Sequence, residues 1–481
     1  MPTSFDRFAV GDVAIFERCF SQEDFAAFSR LSGDRNPLHH DAAHAGRTRF
    51  GQPIVPLHLV LAPLSQIAGM VFPGEPSLYL SHEVRAPQPV YYGETLRYSA
   101  RITAVNAAHR VLTVRVLALR ATEIVLDAEM RVQATAESWE SEAALPILRT
   151  AGPGRALVTG ASGSIGGAIA LALASAGWAL LLQDRGDDTR RQALRAALDR
   201  LGASVDFVAA DLTSASGRTA LAAAVTERGD VEIVVHAASP GVTAPLDELV
   251  AVNYRAFKEI TDAALPAMLA RQKGRLLFIG STAMLRGLPG WEDYAAAKAM
   301  GGALASGLDS RFSGFGVRGL VLMPGYVATA FSAETRGDNP ALLPQEVAAV
   351  ALEMVESPDA AAVLLEVGRR DSGRLGLAVS QDARRAAPPI ETAPGAPAAA
   401  QAAPASASIE DAVRQVLRLP RGTSLAGGGM GITPEWDSLR QIEIVLALEA
   451  TLGVQFSSAE LAELNRFDSL LAACTRKQGD K

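Results

Sequence analysis

Between residues 155 and 325 the chain alternates short apolar runs with longer alanine-rich stretches. RALVTG (155–160), WALLLQD (178–184), VDFVAAD (205–211), EIVVHAAS (232–239), RLLFIGS (275–281) and RGLVLMPG (318–325) have the length of buried strands, and helical patterns separate them. That alternation predicts a doubly wound parallel sheet. Upstream, EDFAAFSRLSG reads as an amphipathic helix, an apolar run follows Phe50, and SLYLSHEVRAPQPVYYGETLRYSARI reads as strands. Near the other end, IEDAVRQVLRL, the stretch opening at Ser438 and SSAELAELNRFDSLLAAC predict helices of a small bundle.

Composition marks the boundaries. From 372 to 407 alanine and proline come to dominate and bulky apolar residues thin out, which predicts an extended linker. A weaker break, polar and then rich in Gly and Pro, lies at 135–155. The expected parts are therefore 1–140, 152–371, the linker 372–407, and 408–481, with no internal repeat. A length of 481 residues suits about three domains at roughly 150 residues each.

The net charge of −7 argues against a nucleic-acid surface. Only two cysteines occur, Cys19 and Cys474, too few for a disulfide framework. The N-terminus is charged where a signal peptide needs an apolar core, and the longest apolar runs fall short of the ~18–20 residues that span a bilayer. A cytoplasmic protein without a membrane segment is the expectation.

TGASGSIGGAIALALASAG (159–177) follows the first strand and opens a helix. Glycines there let backbone approach a pyrophosphate, which the helix N-terminus favours. Such a turn alone is also ordinary tight-turn chemistry. Tyr294 and Lys298, four apart in YAAAK, share a helix face, and Ser281 ends a strand thirteen residues earlier. A phenol beside a lysine cation and a serine hydroxyl suits proton donation to a ketone: the cation stabilises the phenolate and the serine positions the carbonyl.

On these residues the segment 153–370 resembles the short-chain dehydrogenase/reductase family, and in particular the ketoreductases of carrier-bound β-ketoacyl chains. The resemblance implies a Rossmann fold and a tetrad of Asn253, Ser281, Tyr294 and Lys298, with Asn253 ordering a water near the lysine. It implies Gly160, Ser162, Ser164, Ile165 and Gly166 at the cofactor phosphates, and Asp211, Leu212 and Ala237 along the nucleotide. Pro324, Gly325 and Thr329 fall on the nicotinamide side. Ser164 replaces the usual middle glycine, and HAAS (236–239) replaces Asn-Asn-Ala-Gly. Asp184 ends the second strand, where relatives often place an acid over the adenosine ribose. A carboxylate there repels a 2′-phosphate, so NADH is expected, although Arg185 next to it could clamp that phosphate and keep NADPH open.

DRNPLHHD (34–41) puts Asp34 and His39 in one loop. A carboxylic acid and an imidazole are what β-elimination of water needs. An N-cap aspartate with a surface histidine is the plainer reading, and a metal cluster of His39, His40, His44 and His58 lacks ligand spacing. Over 8–134 the chain resembles the MaoC-type hydratase/dehydratases of the hotdog fold, carried by FSQEDFAAFSRLSGDRNPLHHD and FGQPIV. The resemblance implies catalytic Asp34 and His39, with Asn36 shaping the loop. It usually carries His-Gly where this chain has Pro56-Leu57, so the glycine N–H for the thioester oxygen becomes that of Leu57.

WDSLRQIEIVLALE places Ser438 at a helix start, with Gln441 three residues on, as in a capping box. The segment 408–478 also resembles acyl carrier proteins, which implies phosphopantetheine on Ser438 and a partner-facing acidic face of Asp437, Glu443 and Glu449. Together the three resemblances imply reduction of a β-ketoacyl thioester and dehydration to the 2-enoyl thioester, in fatty-acid or polyketide biosynthesis. A phosphopantetheinyl transferase, a separate ketosynthase and acyl-loading partners would serve it, and a homodimer or larger is expected. Two alternatives remain: the same steps reversed on CoA thioesters, or a hotdog domain that only docks.

Overall fold

The computed structural model describes residues 3–136, 138–139, 145–149, 153–186, 188–285, 288–329, 341–357, 363–369 and 375–380. Nearer the C-terminus it describes residues 409, 410, 413, 414, 417, 419, 425, 444, 448 and 466–479. Two compact units result, Met1–Pro388 and Pro389–Lys481.

The first unit begins with an antiparallel sheet. Its strands lie in the order Ser77–Arg85, Glu123–Ala134, Val111–Arg120, Thr95–Asn106, Val13–Cys19 and Ile147–Leu148. Period-two alternation sorts their side chains by face. Tyr98, Ala100 and Ile102 of one strand and Val114, Val116 and Ala118 of its neighbour are fully buried on the inner face. Against them lies the helix Ala62–Met70, which buries Leu64, Ile67 and Ala68 and follows the short helical turn Leu57–Val60. The Tyr98 hydroxyl donates to the Val60 carbonyl at 2.7 Å, so this core holds a satisfied phenol. A sheet wrapped on one helix is the hotdog arrangement.

A larger sheet follows. Its order is Val205–Ala209, Ala179–Asp184, Arg155–Thr159, Val231–His236, Gly274–Ile279, Val317–Pro324, Val363–Arg369 and Leu375–Ser380. All neighbours are parallel except the last pair. Order reverses beside Arg155–Thr159, the position at which open α/β sheets form a crevice at their strand ends. Composition had assigned Leu375–Ser380 to the linker. Instead this apolar hexapeptide, LGLAVS, pairs antiparallel with Val363–Arg369. The alanine and proline enrichment begins only beyond it.

The two sheets of this unit share an interface. The outward residues Leu117 and Leu119 pack in one cluster with Phe257, Ile260 and Ala264 of the helix Phe257–Arg271. That helix ends at Gln272, whose φ of 50° is left-handed, and its last carbonyls need partners. Hotdog side chains supply them. Ser99 Oγ donates to the Ala270 carbonyl at 2.6 Å, and Arg101 Nη1 donates to Arg271 and Gln272 carbonyls at 2.8 and 3.0 Å. Gln272 Nε2 donates back to the Ser99 and Arg115 carbonyls at 3.2 and 3.3 Å. The hotdog sheet thus caps a helix of its neighbour.

In the second unit Ile409, Val413 and Leu417 recur every fourth residue. They join Ile444, Leu448 and four side chains of the helix Phe467–Gly479 (Phe467, Leu470, Ala473 and Cys474) in one buried cluster. Ser438 and the acidic residues Asp437, Glu443 and Glu449 lie outside the described residues. Among the described residues no helix is long and apolar enough to cross a membrane.

Candidate active sites

Two separate clusters of reactive side chains occur in the first unit. One is built on the loop after the helix Gln22–Ser32, which ends at left-handed Gly33. Ser29 Oγ donates to the Asp34 carbonyl at 2.5 Å, and Asp34 Oδ1 accepts from the Asn36 N–H at 3.0 Å. Asn36 Oδ1 in turn accepts from the Leu38 N–H at 3.1 Å and caps the 3₁₀ turn Pro37–His39. Asn36 is therefore a structural cap in this loop. His39 Nδ1 lies 2.8 Å from the Ile54 carbonyl. A carbonyl only accepts, so Nδ1 carries a proton, and in the neutral ring the lone pair is then on Nε2. Nε2 faces Asp34 Oδ2 at 3.8 Å, too far for a hydrogen bond. The imidazole is nearly buried and the carboxylate a third exposed. Pro56 caps the turn that begins at Leu57, whose side chain is 41% exposed.

The other cluster opens on a cavity of about 960 Å³ at the strand ends of the parallel sheet. Gly160, Ser162, Ser164, Ile165 and Gly166 line it, as do Asp184, Arg185, Asp211, Leu212, Ala237, Pro324, Gly325 and Thr329. Gly160 has φ +65°, and a Cβ there would meet the Ala238 backbone at 2.8 Å, so only glycine fits this turn. Gln183 staples the turn: its side chain accepts from the Gly160 N–H at 2.9 Å and donates to the Ala210 carbonyl at 2.7 Å. The helix Ser164–Ser175 starts there with no side-chain cap, leaving first-turn N–H groups for an anion. The cradle and its size fit a dinucleotide.

Asp184 has a protein partner that the sequence reading did not name. Arg191, on the following helix Asp188–Arg200, holds both carboxylate oxygens, and the Gly186 N–H donates to Oδ1 at 2.7 Å. The Asp184 side chain is fully buried. Arg185, offered by the sequence as a clamp for a 2′-phosphate, lines the cavity beside it.

Deeper in, Ser281, Tyr294 and Lys298 line the same cavity. Tyr294 and Lys298 sit on the inner face of the helix Glu292–Phe312. That helix presses close to the sheet because Gly301 faces the Phe278 ring, which a Cβ would meet at 2.2 Å. Burial pushes the Tyr294 phenol up to about 12, opposed by hydrogen bonds with the hydroxyls of Ser239 and Ser281. Burial also pushes Lys298 down to about 7. Its ammonium donates to the Ile279 carbonyl at 2.8 Å and lies 6.0 Å from the Tyr294 ring centre.

Asn253 is fully buried in a π-helical turn, Ala251–Ala256, and is not among the cavity-lining residues. Its Nδ2 donates to the Leu249 carbonyl at 2.9 Å, while Oδ1 has no protein partner. An inward-aimed, unpaired amide oxygen is what holding a water requires.

Two contributors escaped the sequence reading. Ser239 hydrogen-bonds Tyr294 although the HAAS segment marked it only as a departure. His236, in the same segment, bridges Thr159 Oγ1 at 3.0 Å and the Val252 carbonyl at 2.9 Å. Burial, together with Lys298, pushes this imidazole down to about 3, so it stays neutral and ties the strand to the π-helical turn.

Comparison with known proteins finds relatives for each part of the chain. The short chain dehydrogenase family matches residues 154–340 and the MaoC like domain matches residues 10–123. An (R)-specific enoyl-CoA hydratase of Aeromonas caviae is 35% identical over 104 residues, 22% of this chain and 78% of that protein. An uncharacterised short-chain type dehydrogenase/reductase of Sinorhizobium fredii is 32% identical over 227 residues, 42% of this chain and 86% of that protein. A solved 3-oxoacyl (acyl-carrier-protein) reductase of Agrobacterium tumefaciens, with NADP bound, is 29% identical with a TM-score of 0.41, covering 45% of this chain and 93% of that one. The chain belongs to two enzyme families at once, the MaoC-like hydratase/dehydratases through residues 10–123 and the short-chain dehydrogenases through residues 154–340.

Proposed function

We propose that this chain processes the β-carbon of carrier-bound acyl thioesters, reducing a 3-oxoacyl group to 3-hydroxyacyl and then dehydrating it to 2-enoyl. The observation that carries the reading is the coexistence, in one compact unit, of the Asp34–His39 pair and the Ser281–Tyr294–Lys298 group. The product of one site is the substrate of the other. Relatives of the hotdog part point the same way. They include a 3-hydroxybutyryl-CoA dehydratase of Methylorubrum extorquens and a mitochondrial 3-hydroxyacyl-[acyl-carrier-protein] dehydratase of Arabidopsis thaliana.

In the reductase site the Tyr294 phenol donates its proton to the ketone oxygen, which Ser281 and Ser239 hold in place. Lys298 supplies positive charge beneath the phenol as phenolate character develops. A bound nicotinamide supplies the hydride. At the adenosine end Asp184 favours NADH, with a preference narrowed by the Arg191 guanidinium that already neutralises it. In the hotdog site one of Asp34 and His39 takes the proton alpha to the thioester while the other protonates the departing hydroxyl. The fixed Nδ1–H of His39 turns Nε2 toward that exchange.

The carrier role of residues 408–481 rests on WDSLRQIEIVLALE. With a phosphopantetheinyl transferase and CoA, the intact mass should rise by one phosphopantetheine, mapped to Ser438. Modification that survives in Ser438→Ala would remove the carrier from the reading. Pro56-Leu57, in place of the family's His-Gly, favours one second reading, in which the hotdog domain docks without turning over.

A further inference from the structure

The helix Glu292–Phe312, which carries Tyr294 and Lys298, begins without a polar cap. Its N-cap residue is Trp291, and no side chain caps the first turn. Ser, Thr, Asp or Asn at that position would accept one of the free first-turn N–H groups. The chain forgoes that cap and puts a half-buried indole on the wall of the large cavity instead. A local preference set aside next to reactive groups points to function.

The indole contacts both sides of the reduction. Its ring centre is 5.6 Å from that of Tyr294, the proton donor, with the planes at 85°. It is 6.3 Å, at 82°, from that of Tyr326, which follows Gly325 on the nicotinamide side. A ketone poised between phenol and nicotinamide is then flanked by Trp291. Ala244 and Leu288 pack with the indole against the buried cluster of Tyr294, and they line the cavity with it. Such a wall offers apolar surface, which suits a hydrocarbon tail and not the polar thioester arm. A bicyclic ring braced on two tyrosines yields little, so it also limits how far that tail extends.

We propose that Trp291 is a specificity-determining residue of the reductase: the alkyl end of the 3-oxoacyl chain packs on its indole, which selects short chains and rejects long ones. This rests on the ketoreductase reading of the site. A tail that ends at the indole gains contact in the transition state, whereas a longer one must displace the ring.

The test uses the full-length chain, reduced nicotinamide, acetoacetyl-CoA and 3-oxooctanoyl-CoA as probes, and nicotinamide oxidation as readout. Wild type should favour acetoacetyl-CoA in kcat/KM by at least roughly tenfold. Trp291→Ala should shift the ratio of the two values toward 3-oxooctanoyl-CoA by at least roughly tenfold. Trp291→Phe, which keeps an aromatic ring in place, should shift it the same way by at least about threefold, so a poorly folded alanine variant leaves the test intact. An unchanged ratio, or an equal loss with both probes, overturns the assignment, because an indole that only supports the helix would weaken both alike. A wild type that favours the longer chain overturns it too. A wild type that reduces neither probe overturns instead the ketoreductase reading on which it rests.

Discussion

His39 and Ile54 fix a tautomer between them: the carbonyl of Ile54 holds Nδ1–H at 2.8 Å and leaves Nε2 bare toward Asp34. An imidazole so oriented is set up for proton transfer. His39→Ala should reduce hydration of a 2-enoyl thioester by roughly 10²-fold or more, the scale of losing a general acid–base group. The same variant should keep full ketoreduction, measured by nicotinamide oxidation. Equal loss of both activities would point to a folding defect.

Ser239 makes a separable prediction. Its hydroxyl and that of Ser281 both favour the Tyr294 phenolate against burial, which pushes the phenol up to about 12. Removing one raises the phenol further. Oxidation of a 3-hydroxyacyl thioester needs the phenolate as base, so in Ser239→Ala its rising pH limb should move to higher pH. The rate below the limb should fall by roughly two- to tenfold, the worth of one hydrogen bond. An unchanged profile would make Ser239 a bystander.

Lys298 links the site to stability. Burial holds it at about 7 in the folded chain against 10.5 as the ordinary value. Between those values the unfolded chain binds the extra proton, so this lysine makes stability rise with pH across that window. Lys298→Met removes the contribution. The thermal midpoint of wild type should therefore gain on that of the variant between pH 7 and pH 10, while the variant loses ketoreduction at every pH. A constant gap would show that the ammonium is not strained by burial.

Arg191 bears on the cofactor. Comparing kcat/KM for NADH and NADPH should give an NADH preference, and Arg191→Ala should widen it by exposing the bare charge of Asp184 to a 2′-phosphate. A wild-type preference for NADPH beyond roughly tenfold would show that the guanidinium outweighs the carboxylate.

Local pattern made the parallel sheet legible. Its central strands, such as Ala179–Asp184 and Gly274–Ile279, are short apolar runs buried on both faces, and the four-residue spacing of Tyr294 and Lys298 survives intact on one helix. The loop of Asp34 and His39 was legible for the same reason, since both groups lie within six residues. Contacts made across the fold were not. Arg191 reaches Asp184 only after a turn and a helix return toward the strand. Ser239 meets Tyr294 across fifty-five residues, and Ser99 meets Ala270 across 171, so no periodicity announces them. The strand Leu375–Ser380 was missed because a six-residue apolar run beside an alanine- and proline-rich tract carries little compositional weight.

The most direct measurement follows one thioester through both sites. Wild-type chain is incubated with acetoacetyl-CoA and reduced nicotinamide, and the thioester products are weighed by mass spectrometry over time. A chain that carries both steps forms the 3-hydroxybutyryl thioester first and the 2-butenoyl thioester after it. His39→Ala then halts at the hydroxy product, and Tyr294→Phe leaves the ketone largely unreacted. Reduction in wild type that stops at the 3-hydroxy thioester, with added 3-hydroxybutyryl- or crotonyl-CoA equally inert, would contradict a two-step enzyme and leave the hotdog domain without catalysis.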